Sequence, residues 1–329
     1  MALARYIAVK VIAGVVMIWA VATFTFFIVH SLPGSPADAA LQEQLAQGVP
    51  LVQAEQQVQS IYNFIPNTSV AEQYRSYMWG LLHGDLGKSI SYSGEPVRNI
   101  LFANAPWTLS LVILGLLLSF LGGLVFGVLA AVRRSTKLGD TLTFFGSFLH
   151  GIPTYITASL FVLFFTTRWQ VLPYGDAYDG AQTPGFNAGF IGSAIQHAIL
   201  PVAAYAISGY GAWMLVTKSS VVSVLGDDFV IAAELRGITT LRRMRYIARN
   251  AMLPLFTILA LSAGYLFGGS LFIETIFNRN GLGAVQYHSV GARDYPLMMG
   301  SFLLLTTSVI IINIIADMLY SVIDPRVRR

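Results

Sequence analysis

Six long apolar segments restrict the fold of this chain more than any other feature of its sequence. A helix that crosses the hydrocarbon core of a bilayer needs about 20 mostly apolar residues. Segments of that length and composition are residues 11–29, 101–132, 142–165, 198–216, 255–276 and 297–323. Only 11% of the 329 residues are charged, whereas about a quarter are charged in a soluble domain. We therefore predict an all-α membrane protein in which residues 1–329 form one domain with six transmembrane helices.

The positions of Lys and Arg predict which side of the membrane each connecting segment occupies. With the amino terminus inside, 14 of the 20 Lys and Arg residues lie on the cytoplasmic side and six lie outside, in agreement with the positive-inside rule. Arg5 and Lys10 precede the first span, and no small-x-small cleavage motif follows it, so we interpret it as an uncleaved anchor. Both termini are predicted to be cytoplasmic. We attribute the net charge of +4 to this topology and not to nucleic-acid binding.

This orientation leaves three external segments, residues 31–99, 166–196 and 278–296. In the first, residues 41–62 are predicted to form an amphipathic helix that caps the spans, because apolar residues recur there at helical spacing. These residues are Leu41, Leu45, Val52, Val58 and Ile61. The second segment is rich in Gly and Pro, which is typical of an ordered loop and not of another span.

Residues 227–254 form the most unusual cytoplasmic segment. Five arginines exclude this segment from hydrocarbon; they are Arg236, Arg242, Arg243, Arg245 and Arg249. Its apolar residues recur every three or four positions, which predicts two short amphipathic helices. Gly237 lies between them and is expected to take the positive φ that ends the first helix, and Thr239 or Thr240 is expected to cap the second. The result is a hairpin with one apolar side that requires a partner.

Few residues indicate catalytic or metal chemistry. The chain has no cysteine, and its five histidines are scattered, so no disulfide, thiolate or metal site is predicted. The sequence Gly87-Lys88-Ser89 resembles the end of a phosphate-binding loop, but Leu82 stands where that loop requires a glycine. We therefore predict no catalytic residue, no metal and no cofactor in this chain.

Three features within the spans allow two interpretations each. Asp317 lies in an apolar run and forms either a structural ion pair or part of a proton relay. Pro153 follows Gly151 and is predicted to loosen its helix, either as a gating bend or as a static kink. Segments 123–127 and 264–268 begin and end with glycine, which allows close helix packing inside the bundle or at a subunit contact.

Four signatures occur along the chain in a characteristic order. They are Gly84-Asp85-Leu86-Gly87-Lys88-Ser89-Ile90; Ala232-Ala233-x-x-x-Gly237 with Asn250-Ala251-Met252-Leu253-Pro254; Glu274-Thr275-Ile276-Phe277 with Gly281-Leu282-Gly283; and Asp294-Tyr295-Pro296 with Asp324-Pro325-Arg326. Over nearly its whole length the chain resembles the inner-membrane permease subunits of the oligopeptide, dipeptide and nickel branch of bacterial ATP-binding-cassette (ABC) importers. Ile231 stands where the broad importer motif has Glu, a departure that suits the peptide branch and argues against a sugar permease of the other branch.

The resemblance implies a type I ABC importer permease fold in the bacterial inner membrane. It also implies four kinds of partner: a second, homologous permease, two cytoplasmic ATPase subunits that bind ATP and Mg, an extracytoplasmic solute-binding protein, and membrane lipid. The residues that it assigns to ATPase coupling are Asp228, Phe229, Ala232, Ala233, Glu234, Leu235, Arg236, Gly237, Arg242, Arg243 and Pro254. Four apolar residues of this segment are expected to enter a groove on the ATPase: Phe229, Ala232, Ala233 and Leu235. Arg242, Arg243 and Arg245 are expected to contact acidic groups or lipid phosphates.

The expected cargo is an oligopeptide or dipeptide, and segment 41–62 is the expected contact for the binding protein. The same machinery carrying oligosaccharides, nickel or another small solute is the alternative. An ion-coupled secondary transporter is a remote alternative. Such proteins usually show internal repeats and charged residues at mid-membrane, and this sequence shows neither. An intramembrane hydrolase would need a catalytic pair within the bundle, and Asp317 has no evident mate in the sequence. No residue is assigned to substrate binding.

Overall fold

The computed structural model describes residues 2–31, 36–62 and 69–323. Within these ranges the chain is helical, with loops between the helices and one isolated bridge between Lys88 and Pro96. The helices are α1 Ala2–Ser31, α2 Pro36–Ala46, α3 Leu51–Tyr62, α4 Val70–Leu82, α5 Val97–Val132, α6 Lys137–Gly151, α7 Thr154–Phe161 followed by a π-helical segment Val162–Arg168, α8 Ala188–Leu225, α9 Asp228–Leu235, α10 Thr240–Ile276, α11 Leu282–Gly291 and α12 Tyr295–Ile323. The predicted all-α class is confirmed.

Several of these helices are long and apolar enough to cross a bilayer. Among the described residues, Ala8–Ser31, Val97–Val132, Ala188–Leu225 and Tyr295–Ile315 meet this condition separately. Helix α6 and the α7 segment meet it together as a bent pair and form a fifth candidate. The predicted span 255–276 lies within α10. The chain is therefore a multi-pass membrane protein, and the count of six spans stays a prediction.

The bend between α6 and α7 lies where the sequence predicts it. The two helical segments meet at 94°. Pro153 has no amide hydrogen to donate, and its ring disfavours the helical region for the residue before it. Ile152 accordingly has extended angles, φ −84° and ψ 118°. The predicted loosening of the helix at Pro153 is confirmed, and the choice between a gate and a static kink stays open.

The chain divides into two compact units, residues 1–107 with 281–311, and residues 108–280 with 312–329. The core of the first unit includes Phe26 of α1 with Leu41, Val58 and Tyr77 of α2, α3 and α4. The segment 41–62 is helical over most of its length, but a turn with Gly48 at φ +83° divides it between α2 and α3. Of the predicted apolar face, Leu41 and Val58 are buried and Leu45 and Ile61 partly buried, whereas Val52 is 66% exposed.

Small residues allow α5 and α8 to pack closely in the second unit. A Cβ atom on Gly127 would lie 2.6 Å from Cβ of Thr217, and one on Gly123 would overlap Trp213. Any larger residue at these two positions would force the helices apart. Segment 123–127 therefore packs inside the chain, which favours the first of its two interpretations. The surroundings of segment 264–268 lie outside the described side chains.

The segments predicted to be external contain more helix than the sequence indicates. Helix α8 begins at Ala188, inside the predicted loop 166–196, and α11 lies within segment 278–296. Both places are rich in polar and small residues and contain no long apolar run. The sequence there therefore gives no strong pattern from which a helix could be predicted.

Candidate functional site

Helix α9 follows α8 directly and ends in a glycine turn. The amide of Gly237 donates to the carbonyl of Glu234 at 2.9 Å, and the amide of Ile238 donates to the carbonyl of Ala233 at 3.0 Å. These two bonds form a Schellman motif, which requires a left-handed residue at its centre. Gly237 supplies it with φ +69°. The predicted positive φ at Gly237 is confirmed.

The second short helix predicted in this segment is wrong. Helix α10 begins at Thr240 and continues for 37 residues, through Pro254, to Ile276. Thr239 occupies the N-cap position but forms no side-chain cap bond. Pro254 lies within α10, roughly 20 Å along the helix from its start. The hairpin is therefore a short helix joined to the end of a long one.

One side of α9 packs within the chain. Val230 is 5% exposed and packs with Val221 of α8 and with Ile247 and Ala251 of α10. Ala233 is 7% exposed and lies on this packed side, where its small size lets α9 lie close to the rest of the chain. The expected entry of Ala233 into a groove on the ATPase stays a prediction.

The opposite side of α9 is apolar and open. Leu235 is 83% exposed, Phe229 is 41% exposed and Ile231 is 49% exposed. Asp228 and Ala232 are also exposed. An exposed group of apolar side chains on a charged segment marks an interaction surface. We call the residues Phe229, Ile231, Ala232 and Leu235 the outward face of α9.

The arginines of this segment divide into one that is paired within the chain and several that are exposed. Nη1 of Arg243 lies 2.8 Å from Oε1 of Glu234, which joins α10 to α9. This ion pair gives Arg243 and Glu234 a contact within the chain, and the expected contact of Arg243 with a partner stays a prediction. Arg236 and Arg242 are exposed, as are Arg245 and Arg249. All four follow α9 in the sequence, so the positive charge of this segment lies on its carboxyl-terminal side.

A buried polar cluster connects α5, α8 and α10. It lies near the start of α8 and the end of α10, which are the ends of these two helices that are not joined to α9. Oγ1 of Thr108 donates to Oε1 of Glu274 at 2.7 Å, and both residues are 0% exposed. Nη1 of Arg279, which is 3% exposed, donates to the carbonyl of His197 at 3.2 Å. Burial lowers the pKa of Arg279, and the charge of Glu274 acts in the opposite direction.

The sequence reasoning assigned no role to Thr108 or Arg279. The available signal was Glu274 itself, an acid at the end of a long apolar segment, since a buried charge is costly unless it is paired and hydrogen-bonded. The cluster ties three long helices together and gives Glu274 of the third signature a structural role.

The first and fourth signatures also meet in the structure. The buried carboxylate of Asp294 accepts from Oγ of Ser89 at 2.5 Å and from the amide and Oγ of Ser91 at 2.9 and 2.6 Å. Its other oxygen accepts from the amide of Leu297 at 3.2 Å and so caps α12. Asp294 therefore holds the loop that carries Gly87-Lys88-Ser89 against the start of α12.

This loop also uses the amides that a phosphate-binding loop would need. The amide of Gly87 donates to Asp85, that of Lys88 to the carbonyl of Ile61, and that of Ser89 to the carbonyl of Glu95, at 2.9, 3.0 and 2.9 Å. These three donors are therefore not available to a phosphate group.

Two predicted features fall outside what the structure describes. The side chain of Asp317 and the sequence Asp324-Pro325-Arg326 are not among the described groups. Among the described residues, no group of three or more His, Cys, Asp and Glu side chains is placed to hold a metal ion.

Comparison with known proteins assigns the chain to a family. Residues 123–329 match the family described as binding-protein-dependent transport system inner membrane component. The dipeptide transport system permease protein of Escherichia coli K12 is 30% identical over 322 residues, which cover 92% of this chain and 93% of that protein. The oligopeptide transport system permease protein of Bacillus subtilis is 28% identical over 327 residues, 99% of each chain. The chain therefore belongs to the family of binding-protein-dependent transport system inner membrane components.

Proposed function

We propose that this chain is the permease subunit of an ATP-driven importer and that it forms half of a translocation pathway for oligopeptides or dipeptides. Its relatives in Escherichia coli and Bacillus subtilis are named as dipeptide and oligopeptide transport permeases. Oligosaccharides, nickel or another small solute carried by the same machinery is the alternative cargo. The partners are a second, homologous permease, identical or not, two cytoplasmic ATPases that bind ATP and Mg, and a solute-binding protein. The chain itself performs no chemical step.

The outward face of α9 is the observation that supports this proposal most directly. Leu235 and Phe229 offer apolar surface that the chain leaves open, and burying a side chain of this size in a partner groove contributes roughly 1.5–3 kcal/mol. Exposed Arg236 and Arg242 favour an acidic rim on that partner. Both requirements suit an ATPase subunit on the cytoplasmic side, where the excess of Lys and Arg places this segment.

The packing of α9 explains how movement of an ATPase would reach the membrane. Val230 joins α9 to α8 and α10 through buried contacts, and the ion pair between Glu234 and Arg243 adds a second link to α10. Helix α10 continues without interruption to Ile276. A shift of α9 is thus passed to the long helices, and ATP favours the conformation to which the closed ATPase pair binds better.

Charge insertion on the outward face tests the proposal. In the complex reconstituted into vesicles with its ATPases and binding protein, Leu235→Glu is expected to lower ATP-dependent uptake about tenfold or more, because it removes one buried apolar contact. Leu82→Glu is the matched control, since Leu82 is 80% exposed but lies on α4. Equal uptake by the two variants would contradict the assigned face, and uptake that needs an ion gradient but no ATP would contradict the importer class.

A further inference from the structure

We propose that a groove in the first unit binds one membrane phospholipid, with its phosphate on Arg98 and an acyl chain between α5 and α12. The groove has a volume of about 600 Å³. Its walls are formed by Leu86, Phe102, Leu303 and Leu304. These side chains make most of the lining apolar, so the greater part of the occupant is apolar.

The position of the groove along its helices matches the depth of a lipid. Helix α5 has 36 residues and is roughly 54 Å long, which exceeds the roughly 30 Å of a hydrocarbon core. Its first turn, which holds Arg98 and Asn99, therefore extends to the headgroup level. From Gly300 to Thr307 the groove follows α12 for roughly 10 Å, within the apolar span Tyr295–Ile315.

The charge at the groove specifies which end of the occupant lies there. Arg98 lines the groove and is exposed, and its guanidinium forms no ion pair or hydrogen bond with any other described residue. Arg98 also lies in the first turn of α5, where the helix dipole disfavours a cation. An anionic group at this position would relieve that repulsion, and a guanidinium binds phosphate through two parallel hydrogen bonds.

A phospholipid combines these two requirements in one molecule. Its phosphate would contact the guanidinium of Arg98 and the side-chain amide of Asn99, and one chain would lie against Phe102, Leu303 and Leu304. Free phosphate would leave the apolar walls uncovered. A protein segment would have to bring both an acidic group and an extended apolar side to the level of the lipid headgroups.

Native mass spectrometry of the purified, delipidated importer complex tests the proposal, with dioleoylphosphatidylglycerol and dioleoylphosphatidylethanolamine as added lipids. Arg98→Ala is expected to weaken retention of one lipid about tenfold, because it removes a charge-assisted contact. Phe102→Ala, at a side chain that is 59% exposed, is expected to weaken it as well. Arg75→Ala is the matched control, since Arg75 is exposed on α4 in the same unit.

Other outcomes would overturn the proposal. Unchanged lipid retention in both Arg98→Ala and Phe102→Ala excludes a lipid in the groove. Loss of the second permease from the Arg98→Ala complex with lipid retention unchanged identifies the groove as a protein interface. Full displacement of the lipid by millimolar inorganic phosphate identifies a phosphate site without an acyl chain. Arg98→Lys, which keeps the charge, is expected to retain lipid better than Arg98→Ala and so separates a charge effect from a folding defect.

Discussion

Replacement of Gly237 by alanine should loosen α9 through the backbone alone. Gly237 has φ +69°, and a Cβ atom added there would have no heavy atom within 4 Å among those it could meet. Steric contact with neighbours therefore contributes nothing, and the left-handed conformation costs an alanine roughly 1–2 kcal/mol. That cost falls on the Schellman motif that ends α9.

Hydrogen–deuterium exchange measures this cost where it acts. A loss of 1–2 kcal/mol in the free energy of local opening corresponds to exchange about 5–30 times faster. We expect this acceleration for the amides of α9 and of Ile238 in Gly237→Ala. Gly237→Asn should show a smaller effect, because asparagine adopts the left-handed region more readily.

Gly291 provides the matched control. An added Cβ there also meets no atom within 4 Å, but Gly291 lies at the end of α11 and has no positive φ. Gly291→Ala should therefore leave exchange in α11 unchanged or slower, since alanine favours helix. Equal exchange rates in wild type and Gly237→Ala, or equal acceleration in the alanine and asparagine variants, would refute the argument from backbone strain.

Two further predictions concern the buried polar clusters. Thr108→Val should lower the free energy of unfolding by about 1–3 kcal/mol, because the buried carboxylate of Glu274 loses a hydrogen bond. Thr108→Ser keeps the hydroxyl and should lower it less. Thermal melts of the purified protein measure both effects. Asp294→Asn should loosen the contact of segment 84–90 with α12, since asparagine has one acceptor oxygen in place of two and cannot accept both from the serines and from the amide of Leu297 as the carboxylate does. Limited proteolysis after residue Lys88 should then be faster, and an unchanged cleavage rate would argue against the role given to Asp294.

Much of the fold could be predicted from local patterns in the sequence. The long apolar segments predicted most of the spans, because hydrocarbon requires a continuous run that is visible in any window of the sequence. Pro153 and Gly237 act on the backbone at their own positions, so the bend after α6 and the turn after α9 were predictable from the residue types. The segment 227–254 could also be located from local sequence, because its five arginines exclude it from hydrocarbon.

Contacts between distant residues were decided only by the tertiary structure. Ser89 and Asp294 are 205 residues apart, and nothing in the neighbourhood of either one indicates the other. The spacing of apolar residues predicted that α9 is helical and grouped Ala233 with them. It did not show which of these residues lie on the buried side of α9 and which lie on its outward face. Likewise, the pairing of Arg243 with Glu234 depends on the angle at which α10 leaves the turn.

The sequence by itself determined that the chain crosses a membrane several times and carries a charged segment with a glycine turn, since these properties follow from hydrophobicity and backbone preference along the chain. Only the tertiary structure decided which side of α9 is open, that α10 continues unbroken from that turn to Ile276, and that Glu274 is buried beside Thr108. Those features depend on which helices pack together, because burial and pairing are set by neighbours in space and not by neighbours in sequence.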